Sequence, residues 1–449
     1  MEINRNCVSA ESDESVWIHG IAGCGKMDMQ SKKNTYNSLA LILLSALLPV
    51  IGQTVTVVPA YAAKGGIGSP VTAATHSQST EHCPALPIAS GKIVNVASAR
   101  QLKRAVNRAG YGDTILLADG TYNMKGISLH IDTPNVTLRS ASGNRDAVIL
   151  DGQYKSAEII QIVASDVTIA DITLREARHH PVHVMTKTGD TLNTLIYNVH
   201  IIDPGQQAIK INPAKSGYPD KGTIACSHIE ITDAGRPVIR NNCYTGGIDA
   251  HKAHGWTIRD NLIEGFWCSK GLSEHAVHMW DDSSDSVVER NRLVDNARGV
   301  GFGMGKRGHT GGIIRNNMIH TMQDVGIGLE TAPDAKVYNN TIITDNYANS
   351  IEYRFATTSG IEIINNATNR RIHNRKGGKA RIENNMTHVQ SNWFMDAANG
   401  DLHLVSDRIT SLIDRGRTLG DVSDDFDGDT RPFGSAFDIG ADEYTKHAR

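Results

Sequence analysis

The chain has 449 residues, a formal net charge of -3, 21% charged and 5% aromatic residues, and 42 glycines. Near-neutrality gives no basic stripe for nucleic acid, so no nucleic-acid partner is expected; the length allows one large domain or two to three small ones. Abundant Gly, scarce aromatics and recurring Asn pairs favour many short strands joined by tight turns over a helical protein.

In chain order, residues 1–26 precede an export signal and are not expected in the working product. Lys32 and Lys33, the apolar run Leu39–Val50 and the A-x-A at Ala60–Ala62 read as a signal peptide over 27–62. The run is short for a membrane span, so no transmembrane anchor is expected in the mature chain, which is exported to the periplasm or outside the cell. "VWIHGIAGCGKM" (Val16–Met27) contains G-x-x-x-x-G-K, but Met27 stands where Ser or Thr would hold magnesium. No nucleotide is expected. Residues 63–91, rich in Gly, Ser, Thr and Pro, read as a flexible linker. The folded domain is expected over 92–444, with a closing tail from about 395. Three of the mature cysteines, Cys226, Cys243 and Cys268, fall in one short region, apart from Cys83. One disulfide is expected there, Cys243 pairing with either neighbour.

A strand over Ile93–Val96 leads to Ser98, with Gln101 three residues on, a capping box. Leu102, Ala105 and Val106 then share a helical face. A second strand is expected at Ile115–Ala118, and nothing later reads as helical. Short alternating segments follow: "PVHVM" (181–185), "AIKIN" (208–212), "GIDAH" (247–251), "AVHMW" (276–280), "GVGFG" (299–303), "GIGLE" (326–330) and "SIEYR" (350–354). After most of them an apolar residue is followed three positions later by Asn, as in Leu195/Asn198, Ile258/Asn261, Val288/Asn291, Ile314/Asn317, Val337/Asn340, Ile363/Asn366 and Ile382/Asn385. From Asn261 these asparagines are 30, 26, 23, 26 and 19 residues apart. That period marks a stacked solenoid, and strand-rich coils without intervening helices mark a parallel β-helix. No coil buries its apolar residues alone; stacked coils share one core. Asn tolerates left-handed backbone and bonds through its amide, so the repeated asparagines are expected to stack at one corner. The helix is expected to cover the open N-terminal end.

The opening "IVNVASARQLKRAVNRAGYGDTILLADGTY", the "RNN" and "YNN" repeats and the tail "DDFDGDTRPFGSAFDIGADEY" (Asp424–Tyr444) resemble secreted right-handed parallel β-helix proteins of the pectin-lyase-like superfamily. The opening is similar to that of chondroitinase-B-type and alginate lyases. The resemblance covers roughly 92–444. It implies an all-β, right-handed parallel β-helix with a short N-terminal capping helix, and action on a polysaccharide. No catalytic motif of those enzymes carries over residue by residue.

Alternation places the second and fourth residues of each segment inside and the third and fifth outside. The outer columns are His183, Lys210, Asp249, His278, Gly301, Gly328, Glu352, and Met185, Asn212, His251, Trp280, Gly303, Glu330, Arg354. Rungs stack about 4.8 Å apart. His183, Lys210, Asp249 and His278 are therefore the expected catalytic residues. Asn212, His251, Trp280, Glu330, Glu352 and Arg354 are the expected substrate-binding residues, and the three glycines should leave a trough. The long insertions 213–222 and 231–247 should wall it.

Two histidines, a lysine and an aspartate suit proton abstraction beside a uronate carboxylate, and an exposed Trp is a platform for a sugar ring. The expected activity is a lyase cleaving an acidic polysaccharide by β-elimination. A glycoside hydrolase needs two carboxyl groups about 5–9.5 Å apart, which Glu330 and Glu352 allow at about 8 Å. A uronate epimerase begins with the same proton abstraction. A non-catalytic carbohydrate-binding or adhesive protein would use the same fold. Calcium, through Asp249, is the candidate cofactor; a metal centre at Asp249, His251 and His278 lacks a tight ligand motif, and no metal ligand is assigned.

Overall fold

The computed structural model describes residues 83–240 and 242–445. The expected signal peptide, the segment before it, the phosphate-loop-like stretch and residues 63–82 of the expected linker lie outside the described residues. The remainder of that expected linker, 83–91, lies along the solenoid. Cys83 is bonded to Cys226, Pro84 O accepts from the Tyr197 hydroxyl at 2.6 Å, and Pro87 O accepts from Arg139 Nη1 at 2.9 Å.

The strand Ile93–Val96 is followed by the helix Ala99–Val106 and a strand over Thr114–Leu117, one residue earlier than expected. Ser98 caps the helix by accepting from Gln101 N. The Gln101 side chain reaches back past the cap to accept from Ala97 N at 2.8 Å, one residue before the position a capping box uses. Leu102 and Val106 are buried and join the core at the N-terminal end.

The successive coils then build three parallel sheets, of 12, 11 and 10 strands. The third sheet, from Leu129–Ile131 to Arg371–Arg375, carries the alternating segments. Its register pairs His183 with Lys210, Lys210 with Asp249, Asp249 with His278, His278 with Gly301, Gly301 with Gly328 and Gly328 with Glu352. Their neighbours, such as Ile209, Ile211, Val277 and Met279, are fully buried in one continuous apolar core.

The asparagine ladder runs through one corner. Asn261, Asn291, Asn317, Asn340 and Asn366 each donate Nδ2 to the next residue's Oδ1 at 2.9–3.0 Å, ending on Asn385. Two jobs expected of one asparagine are split between neighbours. The left-handed backbone belongs to the preceding residue: Asp260, Arg290, Asn316, Asn339, Asn365 and Asn384 have φ of 50–61°. Asn198 is one of these corner residues, with φ 48°. Its coil therefore aligns one position later than the sequence pattern suggests, Ile196 pairing with Ile224. The ladder position there is held by Val199 and Ser227, not by Asn.

The closing tail packs on a flank of the rod. Leu402, Leu404, Leu412 and Ile439 cover Met318, Ile343 and Ala367. Arg431, buried, ties it together through Glu443 at 2.7 Å and the carbonyls of Asp438, Gly440 and Ala441. The last coil, Arg371–Thr387, supplies the terminal strand of each sheet, and Ile382 there is exposed beside Arg371 and Glu383.

Candidate functional site

The outer column of the third sheet faces away from the core, as alternation dictates, but it is roofed. Lys210 is 9% exposed, and Asp249 and His278 are each 1% exposed. The roof is the insertion 231–247, whose Tyr244 hydroxyl accepts from Lys210 Nζ at 3.3 Å. A Cys243–Cys268 disulfide fastens this insertion to the next coil's loop. This is one of the two pairings left open by the spacing. The Cys83–Cys226 bond was not expected, because Cys83 lies 143 residues away in sequence.

Lys210 and Asp249 form a buried ion pair. Burial pushes the Lys210 ammonium down, but the Asp249 charge and the hydrogen bonds to Asp249 and Tyr244 outweigh it and raise it above its ordinary value. Burial likewise pushes the Asp249 carboxyl up, yet Lys210, His251 and His278 hold it well below the carboxylate range. The pair is fully ionised at neutral pH, so Lys210 is a fixed cation and not a free base.

The most open titratable group of the cluster is His251, with 28% of its side chain exposed and Nε2 3.5 Å from Asp249 Oδ2. Trp280, half-buried, is flanked by the rings of His251 and His278, each stacked with centroids 4.7 Å away. His278 donates Nε2 to Gly303 O at 3.2 Å.

The other expected site residues are divided. His183 lies one rung from Lys210 but is held by Glu158 at 2.6 Å and Asn212 at 2.8 Å. Glu330 is bonded to Arg354 at 3.1 Å. Glu352 is buried and accepts from Tyr347 at 2.7 Å, Asn349, and Arg375 at 2.7 Å. Burial pushes its carboxyl up, but those three donors outweigh it and hold it below its ordinary value. The glycines do not leave an open trough: the His275 ring lies against Gly301, where an added Cβ would meet it at 2.8 Å.

Three groups escaped the sequence reading. Tyr244 lies in an irregular insertion with no periodic signal. Glu274 and His275 precede the alternating segment, and their only trace is the E-H-x-x-H spacing over Glu274–His278.

A family model described as periplasmic copper-binding protein (NosD) matches residues 223–401. No curated protein sequence matches the chain. Among solved structures, pectate lyase Pel9A superposes with a TM-score of 0.56 at 14% identity, over 82% of this chain and all of that one. An alginate lyase from Paenibacillus sp. str. FPU-7 gives 0.43 at 14% identity, over 66% of this chain and 100% of that one. The periplasmic alginate epimerase AlgG gives 0.42 at 13%, over 66% and 84%. The pectate lyase likeness agrees with the sheet topology: the described domain has the right-handed parallel β-helix fold. Among the described residues no helix is long and apolar enough to cross a membrane.

Proposed function

We propose that this chain is an exported protein that cleaves a uronate-containing polysaccharide by β-elimination on the third sheet, around His251. The observation that carries the proposal is the continuous group of Lys210, Asp249, His251 and Trp280 on adjacent rungs, buried at its base and open at His251. Export is supported by the secretory signal in the sequence and by the periplasmic character of the matching family.

In this reading Asp249 orients His251 through Nε2, which leaves Nδ1 with the lone pair that removes the proton α to the uronate carboxylate. The C–H bond breaks, a C4–C5 double bond forms, and the C4–O4 bond breaks. Tyr244 protonates the departing oxygen. Burial and the Asp249 charge raise its phenol above the ordinary value, so it remains an O–H donor. Lys210 provides fixed positive charge for the carboxylate, and Trp280 a face for a sugar ring. Arg354 is four rungs from His251, about 19 Å at ~4.8 Å per rung; it would contact a different sugar of the same polymer.

Hydrolysis by Glu330 and Glu352 is disfavoured. A general acid needs a raised carboxyl, and Arg375 and its companions hold Glu352 low. The test is incubation of the secreted chain with a panel of uronate polymers, followed by ultraviolet absorbance of the unsaturated product. Absorbance should rise with the wild type and not with His251→Ala. New reducing ends without absorbance would make it a hydrolase, and binding without either product a carbohydrate-binding module; both outcomes refute the proposal.

A further inference from the structure

Beside this face, four buried polar atoms have no hydrogen-bond partner: His278 Nδ1, Glu274 Oε2, His275 Nδ1 and Asp249 Oδ1. His278 uses Nε2 to donate to Gly303 O, so in the neutral ring Nδ1 carries a lone pair. That lone pair faces two carboxylate oxygens, Glu274 Oε2 at 3.6 Å and Asp249 Oδ1 at 3.8 Å. Acceptors facing acceptors in a dry site repel, and the separations are too long for hydrogen bonds. They are close to the spacing of two donors on one small cation. Bonds of about 2.0–2.1 Å at a tetrahedral angle put zinc ligands about 3.3–3.4 Å apart.

The third donor is in place. Ligand atoms of Glu274, His275 and His278 all lie within 4.8 Å of one another. His275 is 6% and His278 1% exposed. His275 Nδ1 is buried with no hydrogen-bond partner, so its ring offers an unused ligand atom to the cluster. Gly301 makes room for the His275 ring. Glu274, with 22% of its side chain exposed, borders solvent.

We infer that Glu274, His275 and His278 form a binding site for one first-row divalent transition metal ion of the zinc type, with Asp249 adding negative charge beside it. Two imidazoles and one carboxylate suit such an ion and leave a coordination position open, whereas calcium and magnesium prefer oxygen ligands alone. The other histidine–carboxylate clusters are satisfied without an ion. His200 is bonded to Glu230 at 2.8 Å and His228 to Glu264 at 2.7 Å, and His403 is bonded to Asp401 and Asp427.

The test is calorimetric titration of the chelator-stripped secreted chain with Zn²⁺, with Cu²⁺, Ca²⁺ and Mg²⁺ as parallel arms, and Co²⁺ absorption as a report on ligand geometry. One Zn²⁺ or Cu²⁺ per chain is expected. Glu274→Gln and His275→Ala should each weaken binding by more than about tenfold, while His200→Ala leaves it unchanged. Glu274→Gln is nearly isosteric, and circular dichroism checks its fold. The inference is overturned by absence of saturable binding, by undiminished binding in both site variants, by loss in His200→Ala, or by preference for Ca²⁺ or Mg²⁺. It stands apart from turnover. Zinc binding without polymer cleavage would refute the lyase reading alone, and cleavage without ion binding would refute this one alone.

Discussion

Replacing one member of the Lys210–Asp249 pair separates a buried ion pair from a surface one. The Lys210 side chain is 11% exposed and that of Asp249 1%, so neither charge can turn to water when its partner is lost. Lys210→Met leaves the Asp249 carboxylate with the His251 ring, Nε2 at 3.5 Å, in place of a permanent cation. Asp249→Leu leaves the ammonium facing the Tyr244 hydroxyl. Each single change should cost about 3–5 kcal/mol, the range for an uncompensated buried charge. The double variant Lys210→Met, Asp249→Leu removes both charges and should return to within about 1 kcal/mol of the wild type. Urea unfolding followed by far-ultraviolet circular dichroism gives the four stabilities, and the cycle should show a coupling of at least about 3 kcal/mol. Single costs below about 1 kcal/mol, or a double variant equal to the sum of the singles, would refute the claim that the roof keeps water from this pair.

The closing tail should loosen as pH rises. Burial pulls His403 down, but Asp401 and Asp427 outweigh it and lift it to about 9, while burial lifts Asp425 and Asp438 to about 7. All three folded values exceed the unfolded ones of about 6.5 and 3.9. Their stabilisation is therefore complete below the unfolded values and is lost as pH rises, over about 4–7 for the aspartates and about 6.5–9 for the histidine. Amide exchange in 396–445, corrected for its intrinsic pH dependence, should accelerate from pH 5 to 9; a flat profile would contradict the assignment. In the ladder, Asn317→Ala removes the acceptor of Asn291 N and Nδ2 and the donor to Val288 O, at about 3–5 kcal/mol. Asn385→Ala, at the end of the ladder and only half-buried, should cost less than half as much in the same unfolding assay. Gly222→Ala drives a Cβ to 2.3 Å from the buried Trp256 ring and should lower stability by about 1–3 kcal/mol with a changed near-ultraviolet dichroism signal.

The solenoid was legible because period-two alternation is a local property of each segment. Ile209, Ile211, Val277 and Met279 announce an inside, and their repetition gives the register that pairs Lys210 with Asp249 and Asp249 with His278. The pattern misaligned only where the ladder changes chemistry, at Val199 and Ser227, because Asn198 there serves the turn instead. Alternation tells which way a side chain points and not what lies over it. The roof over Lys210 and Asp249 comes from an insertion whose course depends on the Cys243–Cys268 bond, and no periodicity encodes that. The rung spacing of Glu330 and Glu352 was similarly accessible, whereas their capture by Arg354 and Arg375 depended on side chains from other coils.

The final coil leaves three strand edges bordered by Arg371, Arg381 and Glu383, while the tail lies along the flank. Charge at an unpaired edge opposes the addition of a foreign strand. Apolar replacements at Arg371 and Arg381, next to the exposed Ile382, would remove that charge and leave an apolar edge open to foreign strands.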